Sequence, residues 1–448
     1  MAEAEVLIAG TGVSGTAAAL AASETGTSLT WIEKRNVFGG SAALSAGMFW
    51  TAPTLEALRG RVPRGDDGVA QRLIDDYDAR LDDIRALGVH VAPEPTLGIS
   101  GFGRGYSIDI RDLLERGRRT VVERGGRLTG GTGLVGVRRS GDRLAVALER
   151  PSRTEEIEVD AVVLATGGFQ GDRARLRATL GPDADKLLLR ANPGSTGDGI
   201  RIATGLGAGT TPGLDTYYGH LVPSPLTRFD EADFLPFAQY YSVSAIVIDQ
   251  GGERFVDETI ADEITNQALA RRDGSFGVLI FDDTVRQRAA LSEPFPGFGI
   301  LDRVDAAIQA GAAHASAPTL EALIEQIAEW GVDRQRALAT LREHADAVAR
   351  GGDAEQLVSN RARTPSSPPF FAIAVQPAIT FTLGGVRIDA RARALDEGGA
   401  PIRGLFVCGA DIGGYSNHGY AGGLAPGFIT GHWAGRGAAD HARAAVGG

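Results

Sequence analysis

The segment Gly10-Thr11-Gly12-Val13-Ser14-Gly15 has the residue types and the spacing that hold a dinucleotide. It follows an apolar run, residues 5–9, predicted to be a buried strand, and it opens an Ala-rich stretch predicted to be a helix. In such a turn Gly10 permits the tight bend, Gly12 lets a pyrophosphate approach the backbone, and Gly15 lets the helix pack on the strand. Glu33 ends the next predicted strand 18 residues after Gly15, where a carboxylate can accept hydrogen bonds from a ribose. The spacing therefore predicts a βαβ dinucleotide-binding unit.

Composition excludes several classes of protein. The chain has 448 residues, of which 43% are hydrophobic and 23% charged, so it is long enough to bury a large core. A net charge of −11 argues against nucleic acid and anionic membrane surfaces as partners. No apolar run is long enough to span a membrane, and the acidic residues 1–5 lead directly into a strand without a visible signal peptide, so a cytoplasmic location is expected. Cys408 is the single cysteine and is expected to be a buried structural thiol.

The remaining pattern predicts an α/β fold built from both ends of the chain. Further elements are predicted as a helical period over residues 68–87, an antiparallel meander over 134–149 and 155–158, a strand at 161–165, a helical stretch over 318–350 and a strand at 404–409. We therefore expect a Rossmann-type domain formed by residues 1–212 and 363–448, with an inserted α+β cap or substrate domain at 213–362.

Seven further segments, which follow the glycine turn in a fixed order along the chain, indicate a family resemblance. They are GGSAALSAG (39–47), VVLATGGF (162–169), GSTGDGIRIA (194–203), GGERFVDE (251–258), TFTLGGVRID (380–389), GLFVCGAD (404–411) and YAGGLAPGFITG (420–431). With them the chain resembles the FAD-binding fumarate reductase/succinate dehydrogenase flavoprotein superfamily, and within it the 3-ketosteroid dehydrogenases most. The resemblance implies FAD, one Rossmann-type domain, and a mobile cap that closes over the isoalloxazine.

The resemblance also implies which residues hold FAD. Asp411 matches the family's acid that binds the ribityl or pyrophosphate region, and a last helix starting near Gly423 would direct its N-terminus at the flavin pyrimidine ring. The implied cofactor-binding residues are Gly10, Gly12, Val13, Ser14, Gly15, Glu33, Lys34, Gly39, Gly40, Ser41, Ser45, Ala46, Gly47, Val135, Thr166, Gly167, Gly168, Asp198, Gly199, Gly409, Ala410, Asp411, Gly423, Leu424 and Ala425. The FAD is expected to be non-covalent, because residues 36–50 contain no His of the kind that attaches it in related enzymes. Since a second G-x-G-x-x-G is absent, electrons are expected to enter or leave at the same flavin face or through an external carrier.

Three positions depart from the dicarboxylate enzymes of this superfamily. Where those enzymes hold substrate with a His and two Arg side chains, this sequence has Phe381, Tyr420 and Asp262. Because neutral or acidic side chains do not replace the pairing of arginine with carboxylate, fumarate and succinate are not expected as substrates.

The replacements resemble the ketosteroid dehydrogenase side of the superfamily. There a Tyr and a backbone N–H four residues later hold a substrate ketone, and Tyr420 and Leu424 match. Such a clamp would stabilise an enolate while a base removes the α-proton and a β-hydride passes to flavin N5. The family's base Tyr falls at Asp262, so the candidate base is Asp262 itself or a Tyr of the pairs Tyr240-Tyr241 or Tyr217-Tyr218. The candidate catalytic residues are Tyr420, Asp262, Leu424 and Tyr241, and the candidate substrate-binding residues are Phe381, His220, His418 and Tyr240.

The favoured function is an FAD-dependent dehydrogenase, or desaturase, that forms an α,β-unsaturated ketone from a cyclic ketone. A flavin ene-reductase or tricarballylate-dehydrogenase-like enzyme acting on a small carbonyl or carboxylic acid is the main alternative. A flavin-dependent monooxygenase or oxidase and a non-catalytic flavin-binding module also stay open. The expected partners are a small ketone or enone and an external electron acceptor or donor.

Overall fold

The computed structural model describes residues 5–97, 101–294 and 298–447, and the predicted α/β fold class is confirmed. The chain forms two compact units. The first unit comprises Met1–Arg175, Ala191–Tyr217 and Phe381–Gly448, and the second comprises Leu176–Arg190 and Tyr218–Thr380. The first unit is thus formed by both ends of the chain. Residues 1–4, the predicted acidic lead-in, lie outside the described residues.

A six-stranded, mostly parallel sheet organises the described part of the first unit. Across the sheet the strands are Arg393–Leu395, Pro401–Val407, Ala161–Leu164, Glu5–Ala9, Ser28–Ile32 and Arg127–Thr129. Only the pair formed by the first two of these strands is antiparallel. Ile8 is paired with Trp31 on one side and with Val163 on the other, and all three side chains are buried. Continuous apolar runs form these central strands because both faces of a parallel sheet are covered.

Two helices at opposite ends of the sequence pack closely in this unit. They are the first helix, Val13–Ser23, and the C-terminal helix, Leu424–Gly447. A Cβ added at Gly431 would lie 2.2 Å from the Ser14 carbonyl oxygen, so glycine permits the close approach. The other helices of the unit are Leu55–Arg59, Asp67–Asp75, Tyr77–Ala86, Ile110–Glu123 and Asp198–Gly205. Within the described ranges, no helix has the length and apolar character needed to cross a membrane.

The structure refines three sequence predictions in the first unit. The helical period over 68–87 is two helices, which meet at Asp76, where the side chain accepts the Trp433 indole N–H at 2.5 Å. The predicted meander is confirmed as the antiparallel strands Gly133–Ser140, Arg143–Arg150 and Arg153–Val159, and a further ribbon pairs Met48–Thr51 with Arg104–Ser107. The last parallel strand ends at Val407, one residue before Cys408, whose thiol is buried.

The second unit has an antiparallel sheet with a core on each face. Its long strand Phe370–Ile379 pairs with Leu188–Leu189, Leu221–Pro223, Gly277–Asp282 and His314–Ala317, and Ile246–Asp249 pairs with Gly277–Asp282. One face packs on the helices Leu320–Ala328 and Arg334–Ala349, and the other packs near Asp262–Leu269 and Arg303–Gln309. The predicted helical stretch over 318–350 is thus two helices, separated by a turn in which Gly331 has a φ of +86°. The minor elements of the second unit are the helix Asp283–Val285 and the paired strands Leu291–Ser292 and Leu301–Asp302. Phe381–Thr382 is a short strand of the first unit, and the helix Arg173–Leu180 and the short strand Tyr217–Tyr218 each include residues of both units.

Candidate functional site

The glycines of the first turn serve different purposes. Gly10 has a φ of +108°, and a Cβ added there would lie 2.1 Å from the Ala165 carbonyl oxygen. A Cβ at Gly15 would lie 2.0 Å from the Gly10 carbonyl oxygen, so both glycines are required by the packing of the protein itself. Gly12, the N-cap of the first helix, has only the Gly39 oxygen within 4 Å of an added Cβ, at 3.9 Å. The space beside Gly12 at a helix N-terminus is the feature that a dinucleotide pyrophosphate requires, and FAD fits it.

Glu33 is fixed against this turn. It directly follows the strand Ser28–Ile32, and its carboxylate accepts the Thr11 N–H at 3.1 Å and the Thr11 hydroxyl at 2.7 Å. Its other oxygen accepts the Arg35 N–H at 3.1 Å. The carboxylate is therefore buried and oriented by the loop, and its remaining lone pairs can accept ribose hydroxyls.

The Gly39–Gly47 segment lies beside the same turn. A Cβ added at Gly40 would lie 3.2 Å from the Gly12 Cα, and the Gly39 N–H donates to the Thr11 hydroxyl at 3.1 Å. Ser41 accepts the Asn192 N–H through its hydroxyl at 3.1 Å. Of the other predicted residues here, Ser45 accepts the Gly47 N–H at 3.1 Å and Ala46 is half-buried between them. The structure thus brings this segment and the first turn into one loop cluster.

Lys34 and Asp198 are paired with each other. The Lys34 Nζ lies 2.7 Å from the Asp198 carboxylate and 2.8 Å from the Thr196 hydroxyl. Asp198 begins the helix Asp198–Gly205, and Arg201 of that helix donates to the Val135 carbonyl oxygen at 3.1 Å. These predicted cofactor residues form a half-exposed polar group in the first unit.

Asp411 joins the ends of two neighbouring strands. Its carboxylate accepts the Gly167 N–H at 3.0 Å, the Gly168 N–H at 3.1 Å and the Thr166 hydroxyl at 2.9 Å, and it also accepts the Thr166 N–H. Gly199 packs so closely that an added Cβ would lie 2.6 Å from an Asp411 oxygen. Burial raises the pKa of the Asp411 carboxyl, while the Gly167 and Gly168 N–H groups act in the opposite direction. The Asp411 side chain therefore fixes the turn after the strand Ala161–Leu164.

Gly409 and Ala410 complete this strand end. A Cβ at Gly409 would lie 2.4 Å from the Ser14 hydroxyl oxygen, and the Gly409 N–H donates to Thr430 at 3.0 Å. The Ala410 carbonyl oxygen would lie 3.1 Å from a Cβ added at Gly168. Both residues are thus positioned between the first helix, the C-terminal helix and the Thr166–Gly168 turn.

The N-terminus of the C-terminal helix combines orphan N–H groups with aromatic rings. The helix begins at Leu424, so the N–H groups of Leu424 and Ala425 belong to its first turn, where intrahelical acceptors are missing. A Cβ at Gly423 would lie 3.3 Å from the Phe381 ring, and the rings of Tyr420 and Trp50 have centroids 6.1 Å apart. Tyr420 and Phe381 are half-buried, as is His418 in the preceding loop. A carbonyl oxygen at this end would meet N–H donors and the positive end of the helix dipole.

Three predicted side chains of the second unit form a buried hydrogen-bonded chain. The His220 Nδ1 is bonded to the carboxylate of Asp262, and the His220 Nε2 lies 2.7 Å from the Tyr218 hydroxyl oxygen. His220 is 0% exposed and Asp262 is 7% exposed. The Tyr240 ring is edge-on to the imidazole, with centroids 4.8 Å apart, and the Arg303 guanidinium lies over Tyr240 at 5.3 Å.

Tyr241 lies elsewhere in the second unit. Its ring packs on Phe281 with centroids 5.0 Å apart, in the apolar core on the face of the sheet that includes Val247 and Leu279. Within the described residues its buried hydroxyl has no hydrogen-bond partner, and burial raises the pKa of that hydroxyl. The structure thus brings Tyr240, and not Tyr241, to the His220–Asp262 pair.

Sequence reasoning gave little weight to Tyr218 and missed Arg190 and Arg303. A Tyr-x-His pattern in an extended segment places both side chains on one face, and this signal at Tyr218 and His220 was available. Arg190 and Arg303 are both buried, and each donates to a hydroxyl group: Arg190 to Thr380 at 3.1 Å and Arg303 to Ser292 at 3.0 Å. No local pattern distinguishes them from the many exposed arginines of this chain.

The chain is similar in sequence and in fold to several known proteins. The protein family described as "FAD binding domain" matches residues 5–74 and 83–424. The chain is 25% identical to a fumarate reductase (cytochrome) of Shewanella frigidimarina over 92% of this chain and 72% of that protein. It is 26% identical to the 4-oxocyclohexanecarboxylate 2-dehydrogenase of Sinomonas cyclohexanicum over 96% and 92% of the two chains. Its fold is similar to that of 3-ketosteroid-Δ4-(5α)-dehydrogenase from Rhodococcus jostii RHA1, with a TM-score of 0.75, 20% identity, and 97% of each chain covered.

Proposed function

Because the chain belongs to the FAD-binding domain family and is an FAD-dependent oxidoreductase acting on CH–CH groups, we propose that it desaturates a cyclic ketone to an α,β-unsaturated ketone. The observation that carries this proposal is the composition of the C-terminal helix N-terminus. There the family resemblance matches Tyr420 and Phe381 of this sequence to positions at which the dicarboxylate enzymes of the superfamily have cationic side chains. An aromatic, neutral site of this kind suits a carbocycle and does not suit a dianion.

The ketone oxygen is held by the Tyr420 hydroxyl and the Leu424 N–H. Both are donors, and the Leu424 N–H lies in the first turn of a 24-residue helix. As the α-proton leaves, negative charge grows on the ketone oxygen, and fixed donors stabilise that charge more than they stabilise the neutral ketone. Phe381 provides an apolar surface beside Gly423 for the ring of the substrate.

Gly12 and the Gly39–Gly47 segment would hold FAD without a covalent bond, and the bound flavin would supply the acceptor for the β-hydride. The chain's part in binding it is the open backbone at Gly12, the Glu33 carboxylate and the turn that Asp411 fixes. Reduced enzyme returns to the oxidised state through an external electron acceptor of small size or through a protein carrier.

A second candidate is a substrate that carries a carboxylate as well as a ketone. A keto acid such as 4-oxocyclohexanecarboxylate combines the two groups, and the relative from Sinomonas cyclohexanicum carries that compound in its name.

The experiment is an anaerobic half-reaction. Purified oxidised holoenzyme is mixed with cyclohexanone, 4-oxocyclohexanecarboxylate or a saturated 3-ketosteroid, and the visible flavin absorbance is followed. Bleaching by a ketone and its loss in Tyr420→Phe are the expected results. If no ketone bleaches the flavin while enones reoxidise dithionite-reduced enzyme, the protein is an ene-reductase; if neither half-reaction occurs, the proposal is overturned.

A further inference from the structure

The first unit contains a groove that the proposed function does not use. Its volume is about 600 Å³, within the range of about 300–1,000 Å³ that is usual for small-molecule sites. None of the described residues that line it is among those expected to hold FAD. They include five arginines and two aspartates, which are Arg72, Arg80, Arg391, Arg393 and Arg436 and the acids Asp76 and Asp440. Because the whole chain has a net charge of −11, this local excess of positive charge needs an explanation.

Three of these arginines are held in place by neighbouring side chains. The Arg72 guanidinium lies over the Trp433 ring at 4.2 Å, and the Trp433 indole N–H donates to the Asp76 carboxylate at 2.5 Å. The other two are in ion pairs, Arg80 with Asp83 at 3.2 Å and Arg393 with Asp389 at 2.6 Å. These contacts fix the positions of the lining side chains, so a ligand would lose little binding energy to ordering them.

Arg391 and Arg436 are the two arginines of the groove without such a partner. In the part of the chain that the structure describes, no ion pair and no hydrogen bond holds either guanidinium. The two residues are close together, because a Cβ added at Gly437 would lie 3.1 Å from the Arg391 carbonyl oxygen. Both side chains are exposed, so their charges are available to an anion in the groove.

His432, which also lines the groove, is affected by the charge of these arginines. Burial lowers the pKa of His432 from 6.5 to about 4. Three arginines lower this pKa further and one carboxylate raises it, namely Arg80, Arg436 and Arg72 against Asp76. The other acid near the ring is Asp83, at 4.0 Å from the His432 Nδ1. An anion that entered the groove would offset the arginines and raise the pKa of His432.

We propose that this groove binds a small molecule that carries a phosphate group, and that Arg391 and Arg436 contact the phosphate. A guanidinium presents two parallel N–H donors, and a phosphate has enough oxygens to accept two such pairs, whereas a carboxylate accepts one. The rings of Trp433 and Phe406 are only 4% and 2% exposed, so the groove offers guanidinium groups and no open stacking surface. The ligand is therefore recognised by its phosphate. This site is independent of ketone desaturation.

The test is a calorimetric titration of FAD-loaded holoenzyme with pyrophosphate, glycerol 3-phosphate or succinate. Loading with FAD fills the dinucleotide site, and a constant ionic strength keeps the screening of charges equal in all titrations. We expect a phosphate compound to bind, and Arg391→Gln and Arg436→Gln each to weaken that binding about 10-fold or more, since each removes hydrogen bonds between charged groups. Arg138→Gln is the matched control and keeps wild-type binding, because it changes an exposed arginine that pairs with Glu156 outside the groove. The stronger of the two phosphate compounds distinguishes an inorganic ligand from a phosphate ester.

A second measurement locates the ligand without relying on the arginine variants. The pKa of His432 is followed by NMR of histidine-labelled holoenzyme, with the signal assigned by its loss in His432→Gln. A phosphate compound should raise this pKa. The inference is overturned if neither phosphate compound binds, if Arg138→Gln weakens binding as much as Arg436→Gln, or if the pKa of His432 does not change. Succinate binding that depends equally on Arg391 and Arg436 would overturn the assignment to phosphate. Bleaching of the flavin by ketones is measured separately, so the proposed function and this site can fail independently.

Discussion

The carboxylate of Asp411 accepts the backbone N–H of Gly168 at 3.1 Å, although 243 residues separate them in the sequence. The bond joins the ends of the neighbouring parallel strands Ala161–Leu164 and Pro401–Val407. It holds the Thr166–Gly168 turn, in which Gly167 and Gly168 have φ angles of +95° and +79°. A carboxylate predicted to contact the cofactor thus acts first on the protein backbone.

Asp411→Asn is expected to lower both stability and FAD retention. An amide supplies one acceptor oxygen in place of two, so buried N–H groups of the Thr166–Gly168 turn lose partners at a cost of about 1–3 kcal/mol each. The unfolding free energy is measured by urea titration, and FAD retention is measured by the ratio of flavin to protein absorbance after gel filtration. The control is Asp142→Asn, which changes an exposed residue paired with Arg403. Wild-type stability in Asp411→Asn would contradict this account.

Gly12→Ala and Gly15→Ala are expected to fail in different ways. At Gly12 the new Cβ meets only the Gly39 oxygen at 3.9 Å, so the protein folds, but the methyl group occupies the space that the pyrophosphate needs and FAD binding weakens. At Gly15 the new Cβ would lie 2.0 Å from the Gly10 carbonyl oxygen, so the fold itself is strained. Circular dichroism melting of the FAD-free proteins and fluorescence titration with FAD separate the two effects. Equal melting temperatures for the two variants would contradict the distinction.

The local sequence pattern was enough to predict the turn around Gly12, because the strand, the turn and the helix are adjacent in the sequence and each has its own characteristic residues. The Tyr420–Leu424 segment was equally visible, since its residues are consecutive and precede a helix. The His220–Asp262 bond joins residues 42 positions apart, and no periodicity encodes such a pair. Asp262 was one of several candidate bases, beside the tyrosine pairs, and only the fold shows that its carboxylate is bonded to an imidazole. Buried Arg190 was missed for the same reason, because burial of a single charge depends on the tertiary environment.

Glu258→Gln is expected to destabilise the second unit strongly. The Glu258 and Arg254 side chains are 4% and 6% exposed, and Glu258 also accepts the Val247 N–H at 2.8 Å. Removing one charge of a buried pair leaves the other uncompensated, at a cost of about 3–5 kcal/mol. Hydrogen exchange of the strand Ile246–Asp249 reports the local loss. The control Asp82→Asn breaks the exposed ion pair with Arg85 and should change the unfolding free energy by less than about 1 kcal/mol. A similar loss of stability in both variants would contradict the assignment of a large contribution to the buried Glu258–Arg254 pair.

His344 is expected to make the protein sensitive to acid between pH 6.5 and about 4. Burial lowers the pKa of His344 from 6.5 to about 4, with a further contribution from the positive Arg254. In this window the unfolded chain binds a proton that the folded chain does not, so the unfolding free energy falls as the pH drops, by at most about 1.4 kcal/mol per pH unit for one group. Urea titrations at a series of pH values should show a smaller slope for His344→Gln than for the wild-type protein. The control His90→Gln changes an exposed histidine and should keep the wild-type slope. If His344→Gln also keeps the wild-type slope, His344 is not a source of the acid sensitivity.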